Sequence, residues 1–238
     1  RDMVTWKNNS AIVRTHKSYR SGDESYLGTY VIGYGKRGDI LDAQVVNLYT
    51  HYLTGEGQGI AFLTRENATL VLSYMNSILS QYTVNLYTAQ HKISGNVNLL
   101  PMPDYATRQS DIERIVNAII DIKRKWFSLD ETNLEYHGLI AQMELKSGIE
   151  AGLDKMQELL TDDYARYVEV VKENDDLWMD LADIDRGSEF RQTLNDYKAR
   201  RPYEELLSID GACNQNSIDE KVMAQEIVME LVGMAFGR

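Results

Sequence analysis

The sequence predicts an α+β protein: a mixed strand-and-helix part over residues 1–105, then a mainly helical part over residues 106–238. Two observations carry this reading. The first is composition. Ten of the fifteen tyrosines precede residue 106, in a stretch rich in Thr, Val, Gly and Asn. Aromatic and β-branched residues suit a pleated, half-buried surface. The second is hydrophobic spacing. After Pro103, apolar residues recur three and four apart, the period of a helix with one buried face. Charge divides at the same place. Residues 1–105 carry nine Lys/Arg and eight Asp/Glu, whereas residues 106–238 carry sixteen and twenty-eight. A boundary at residues 103–110 fits all of this.

The elements follow in order. Residues 11–15 (AIVRT) and 28–34 (GTYVIGY) read as short strands, the second bounded by glycine. Residues 55–59 (GEGQG) read as a loop, with a strand over residues 60–64 after it. Residues 67–82 are apolar at Leu70, Leu72, Met75, Ile78 and Leu79, a helical spacing. Pro101-Met102-Pro103 is a stop, because proline lacks the backbone donor that a continuing helix needs. Ser110 and Glu113 have the spacing of a capping box, in which each side chain satisfies the other residue's backbone amide. The helix they would start has Ile112, Ile115, Val116, Ile119, Ile120 and Trp126 on one stripe. Ser128-Leu129-Asp130-Glu131 is a second start signal, before a helix over residues 139–160. Thr161-Asp162-Asp163 would open another helix, to about residue 183, carrying Tyr164, Tyr167, Val168, Val171, Trp178 and Leu181. Ser217-Ile218-Asp219-Glu220 would cap a last one, with Val222, Met223, Ile227, Leu231 and Met234 inward.

Composition bounds the function. With 238 residues and 43% hydrophobic content the chain can bury a core. No apolar run approaches the ~18 residues of a membrane span, so no membrane role is expected. The single cysteine, Cys213, rules out an internal disulfide framework and fits a cytoplasmic setting. Neither histidine nor a basic cluster neighbours it in sequence to activate it as a nucleophile. The net charge of −11 repels phosphate from the chain as a whole. Nucleic-acid contact would fall in the first hundred residues, where residues 1–40 hold seven basic and four acidic side chains. The chain opens on Arg1 without a methionine and closes on FGR, and we expect a piece of a longer polypeptide.

Residues 33–38 (GYGKRG) match the glycine spacing of a dinucleotide loop, yet no strand-to-helix unit with a suitably placed acid follows. A tight hairpin turn presenting Lys36 and Arg37 is the better reading. His16, His51, His91 and His137 are scattered without metal-ligand spacing, so no metal site is expected. The acid-dense residues 169–185 read as a solvated helix face with Trp178 and Leu181 turned inward. Arg14, His16, Lys17, Tyr19 and Arg20 form a basic run interleaved with tyrosine, ahead of Lys36 and Arg37. Arg and Lys neutralise phosphates, and Arg, Asn and Gln pair with base edges. The candidate DNA contacts are therefore Lys7, Arg14, Lys17, Arg20, Lys36, Arg37, Arg65, Asn85, Gln90, Lys92 and Asn96, with His91 in the same run as the last three.

Residues 74–103, YMNSILSQYTVNLYTAQHKISGNVNLLPMP, join an apolar helix ending at Met75-Asn76-Ser77, a polar Asn-rich loop and the Pro101-Met102-Pro103 stop. That layout resembles the target-recognition part of adenine-specific DNA methyltransferases. Three more stretches resemble one family, the BREX phage-defence adenine methyltransferases (the PglX family), in the family's order. They are residues 4–9 (VTWKNN), residues 125–132 (KWFSLDET) with 137–139 (HGL), and residues 232–238 (VGMAFGR). Residues 39–50 and 161–166 have no counterpart, and the loop over residues 89–94 departs from the family's wording.

The resemblance implies a parent enzyme that moves a methyl group from S-adenosylmethionine to adenine N6. It implies double-stranded DNA, the parent's catalytic domain and other defence proteins as partners. Such an enzyme needs a glycine-rich cofactor loop and an Asn-Pro-Pro-Tyr/Phe loop for the flipped base. Neither occurs here, so this chain is expected to hold no catalytic residue and no cofactor of its own. Two alternatives stand beside it. A stand-alone specificity subunit of a Type I-like restriction system would carry two related halves, and residues 74–103 have no second copy. A helical protein-binding module would be driven by the acidic residues 106–238.

Overall fold

The computed structural model describes residues 15, 29–38, 40–46, 57–88, 91–128, 137, 148–197, 213–214, 217–218 and 220–235. Except for Thr15 and His137, the strand expected at 11–15 and residues 129–147 lie outside them.

β1 (Tyr30–Gly35) is the centre of a three-stranded antiparallel sheet, with β2 (Gln44–Val46) and β3 (Gly57–Phe62) on either side. Ile32 pairs with Val45 on one side and Ile60 on the other. Ile32 and Tyr34 turn toward the core, joined there by Ile60 and Phe62. The glycine-rich residues 33–38 form the end of β1 and the start of its connection to antiparallel β2, a wider connection than the tight turn expected.

Thr64 starts α1 (Arg65–Met75) by accepting from the Asn67 amide at 3.3 Å. The single helix expected over residues 67–82 is two. α1 stops at Asn76, and Ser77, in extended backbone, caps α2 (Ile78–Tyr87) by accepting from the Ser80 amide. The polar loop expected after Ser77 is thus helix. Its Asn, Thr and Gln hide the helical set Ile78, Leu79 and Val84, all buried, and Gln81 is buried with its amide used internally. One turn of helix, α3 (Ser94–Val97), precedes the proline stop.

The Asp104 carboxylate accepts from the Ala106 amide at 3.0 Å and starts a tight helical turn that runs straight into α4 (Gln109–Phe127). The capping box expected at Ser110 and Glu113 does not form. The helix has begun before Ser110, and Glu113 accepts from the Gln109 side chain instead. The expected stripe holds, with Ile112, Ile115, Val116 and Trp126 buried.

α5 (Ile149–Leu181) is one helix of 33 residues, so Thr161-Asp162-Asp163 opens nothing. Met156, Leu160, Asp163, Tyr167, Val170, Asn174, Leu177 and Leu181 recur alternately four and three apart along it. Asp163 and Asn174 interrupt the apolar pattern, which is why the sequence reads as broken there. Both make cross-helix bonds. Asp163 takes the Lys125 ammonium at 2.9 Å, and Asn174 pairs with Ser73. With Arg114 meeting Glu173 at the other end, α4 and α5 lie antiparallel.

α5 ends where Asp183 adopts a left-handed φ of 54° and the Ile184 amide closes on the Met179 carbonyl at 3.0 Å. Ser188 caps α6 (Glu189–Asp196). Two short paired strands, β4 (Cys213–Asn214) and β5 (Ser217–Ile218), lead to α7 (Glu220–Ala235). Ser217 is therefore in a strand, not a cap. Ile227 is buried on α7, but Leu231 is 50% and Met234 is 52% exposed, so the inward set expected there is only partly inward.

Among the described residues the chain is α+β: seven α-helices with a small antiparallel sheet. One core joins Ile32, Leu70, Ile78, Ile115, Trp178 and Leu194. It draws residues from both sides of 103–110, where helices precede and follow. No helix among the described residues is long and apolar enough to cross a membrane.

Candidate nucleic-acid interface

Where β1 ends, the Gly35 amide donates to the Leu41 carbonyl at 2.8 Å and closes a loop over residues 36–41. Gly38 has φ 118°, which an L side chain adopts only under strain. Lys36 is half-buried and Arg37 is exposed. A second segment lies alongside. Arg37 and His91 form an antiparallel bridge, and the Lys92 amide donates to the Lys36 carbonyl at 2.7 Å. Exposed His91 thus stands beside Arg37. α3 follows at once, held by the Ser94 amide donating to the Gln58 side chain at 3.1 Å, and carries half-buried Asn96. Lys36, Arg37, His91 and Asn96 so gather at the end of the sheet where Gly35 pairs with Gly57.

The other candidates fall elsewhere. Arg65 opens α1, just after Phe62, which pairs with Tyr30 at the opposite end of the sheet. A six-residue strand separates the two ends by roughly 17 Å. Asn85 on α2 donates to the Tyr197 hydroxyl at 2.8 Å, a contact within the molecule. Lys92 departs from the expectation of a phosphate contact. It is 0% exposed, and its ammonium donates to the Gly38 carbonyl, so it shapes the loop from inside. Lys7, Arg14, Lys17, Arg20 and Gln90 lie outside the described residues.

The loop is also held from behind by two side chains to which the sequence reading gave no role. The Asn76 carboxamide brackets Ala43, accepting from its amide at 3.1 Å and donating to its carbonyl at 2.9 Å. The buried Gln81 carboxamide accepts from the Leu41 amide at 2.9 Å. Between these two points Asp42 takes a left-handed φ of 44°. Burial pulls the Lys123 ammonium on α4 below the ordinary lysine range, and the Asp42 carboxylate opposes that shift. Asn76 is the central residue of the motif Met75-Asn76-Ser77, and that was the available signal. Periodicity could not disclose its partner 33 positions away.

The acid-dense end of α5 does more than face water. Trp178 is buried and Leu181 partly so, as expected. Asp175, however, is buried and accepts from the Ile78 amide at 2.6 Å, joining α5 to the start of α2. Asp176 and Asp180 receive the buried Arg191 guanidinium at 2.7 and 2.6 Å. The Arg186 hydrogen bond holds the Asp180 carboxyl below the usual carboxylate range, against the opposing effect of burial. Among the described residues, no group of three or more His, Cys, Asp or Glu side chains could hold a metal ion.

Compared with protein families, curated proteins and solved structures, the chain matches none.

Proposed function

We propose that this chain is a DNA-contacting, target-recognition part of a site-specific adenine-N6 methyltransferase of a phage-defence system, and that Lys36, Arg37, His91 and Asn96 meet the duplex. The observation that carries the reading is the convergence of two segments, each chosen from sequence for DNA contact, at one end of one small sheet. Exposed Arg37 beside exposed His91 offers a cation and an imidazole to a phosphate or a base edge. The resemblance of residues 4–9, 74–103, 125–132 with 137–139, and 232–238 to the BREX methyltransferases supports the reading from sequence. Residues 33–38 lead into an antiparallel strand rather than a helix N-terminus, so this glycine run does not form a cofactor loop. By the resemblance, methyl transfer would belong to another part of the parent enzyme.

The test is duplex binding by the whole chain, followed by fluorescence anisotropy over a salt series. Affinity should fall steeply between about 50 and 200 mM salt, and Lys36→Ala with Arg37→Ala should flatten the log–log slope by about 1 to 2. An unchanged slope in that double variant would remove the loop from the interface.

A second reading has its own observation. α7 exposes Val228, Met229, Leu231, Val232 and Met234, more apolar surface than a solvated helix needs. In that reading the chain is a protein-docking module, and duplex binding would be absent even at low salt.

A further inference from the structure

Resting on the DNA-contact reading, we infer that Asn76 and Gln81 are positioning residues for the Lys36–Arg37 loop, fixing its place before DNA arrives. The argument starts from what the loop lacks. Between the two strands, the described residues 36–38 and 40–43 belong to no strand of the sheet, so their backbone groups must find partners elsewhere. At the far end the partner is backbone, through the Lys92 amide on the Lys36 carbonyl. At the near end the partners are side chains. Asn76 supplies one acceptor and one donor to Ala43, the pattern that a neighbouring strand would supply. Gln81 supplies an acceptor to Leu41 and anchors itself by donating to the Met75 carbonyl at 2.6 Å. Leu41 and Gln81 are both buried, so the Leu41 amide cannot turn to water when Gln81 is removed.

The conformation of Asp42 adds to the case. A left-handed non-glycine residue persists only where its surroundings fix it, and it sits between the two clamped residues. Asn76 lies at the junction of α1 and α2 and Gln81 one turn into α2, beside Met75, Ile78 and Leu79 of the core. The loop that carries Lys36 and Arg37 is thereby referred to the molecule's centre through one short element. A loop ordered in advance loses less conformational entropy on binding and holds two cations at a fixed spacing.

The experiment is a double-variant cycle on the full chain, read as affinity for a mixed-sequence duplex of about 30 base pairs in a salt series, with thermal unfolding in parallel. Asn76→Ala should weaken binding about tenfold and lower the salt slope by about 1. In the Lys36→Ala/Arg37→Ala background it should weaken binding no further, because the groups it positions are gone. Asn76→Gln covers the case in which alanine prevents folding. It keeps a neutral carboxamide, but the extra methylene moves that group off Ala43, so it should give the same non-additive loss. An Asn76 loss that adds fully to the Lys36/Arg37 loss, or no Asn76 loss at all, overturns the positioning role and leaves the DNA reading standing. A Lys36→Ala/Arg37→Ala protein that binds like the parent, or a parent that binds no duplex, overturns the DNA reading and the positioning role with it.

Discussion

Ser73 shows how a small residue can decide a large contact. Trp178 is 0% exposed, and its indole N–H must find an acceptor inside the protein. The acceptor is the Ser73 hydroxyl, at 2.7 Å, which in turn donates to the Asn174 side chain at 2.5 Å. Asn174 completes the set by donating to the Ser73 carbonyl at 3.1 Å. Tyr74 and Tyr105 pack around the same indole, with ring centroids 4.9 and 6.5 Å away. Ser73→Ala would leave the indole N–H and the Asn174 oxygen buried without partners, and should cost about 1–3 kcal/mol in urea unfolding. A loss within about 0.5 kcal/mol would mean that the network is not a structural requirement. Trp178 and the Ile112 stripe were legible in the sequence, because large apolar residues at helical spacing announce burial. Asn76, Asn174 and Asp175 were not. A buried polar residue looks like a surface residue until its partner, 33 to 101 positions away, is known.

At the scale of elements, the sequence disclosed β1, β3 and α4 through runs of apolar residues with glycine or proline at their ends. It misplaced starts and stops. Ser110 and Ser217 have the chemistry of caps, but the local backbone had already been settled by Asp104 in one case and by strand pairing in the other. Thr161-Asp162-Asp163 carries a start signal inside an unbroken helix, because stripe contacts on both sides outweigh a local preference. The end of α5 is a place where the sequence is not optimal. Asp183 holds a left-handed φ of 54°, which glycine adopts without strain. Asp183→Gly should therefore raise stability by roughly 0.5–1 kcal/mol in urea unfolding. A loss of stability would show that its carboxylate does something the helix end needs.

At the scale of the molecule, the strand-and-helix part and the helical part share a core, although their compositions and charges differ. Ile32 and Tyr34 belong to the same cluster as Ile115, Val116 and Trp178. Composition gives the sheet its content and the helices theirs, but only the packed structure reveals that one supports the other. The consequence for function is positional. The Lys36–Arg37 loop belongs to a part with nearly balanced charge, while residues 106–238 carry the excess of acid. Long-range repulsion from those helices would turn a duplex away from them and toward the sheet end. The most direct test is duplex titration into the isotopically labelled full chain, read by amide chemical shifts at low salt. The account predicts the largest changes at Lys36, Arg37, His91 and Asn96, and little change along α5. Changes confined to α5 and α7, with none at the sheet end, would contradict it.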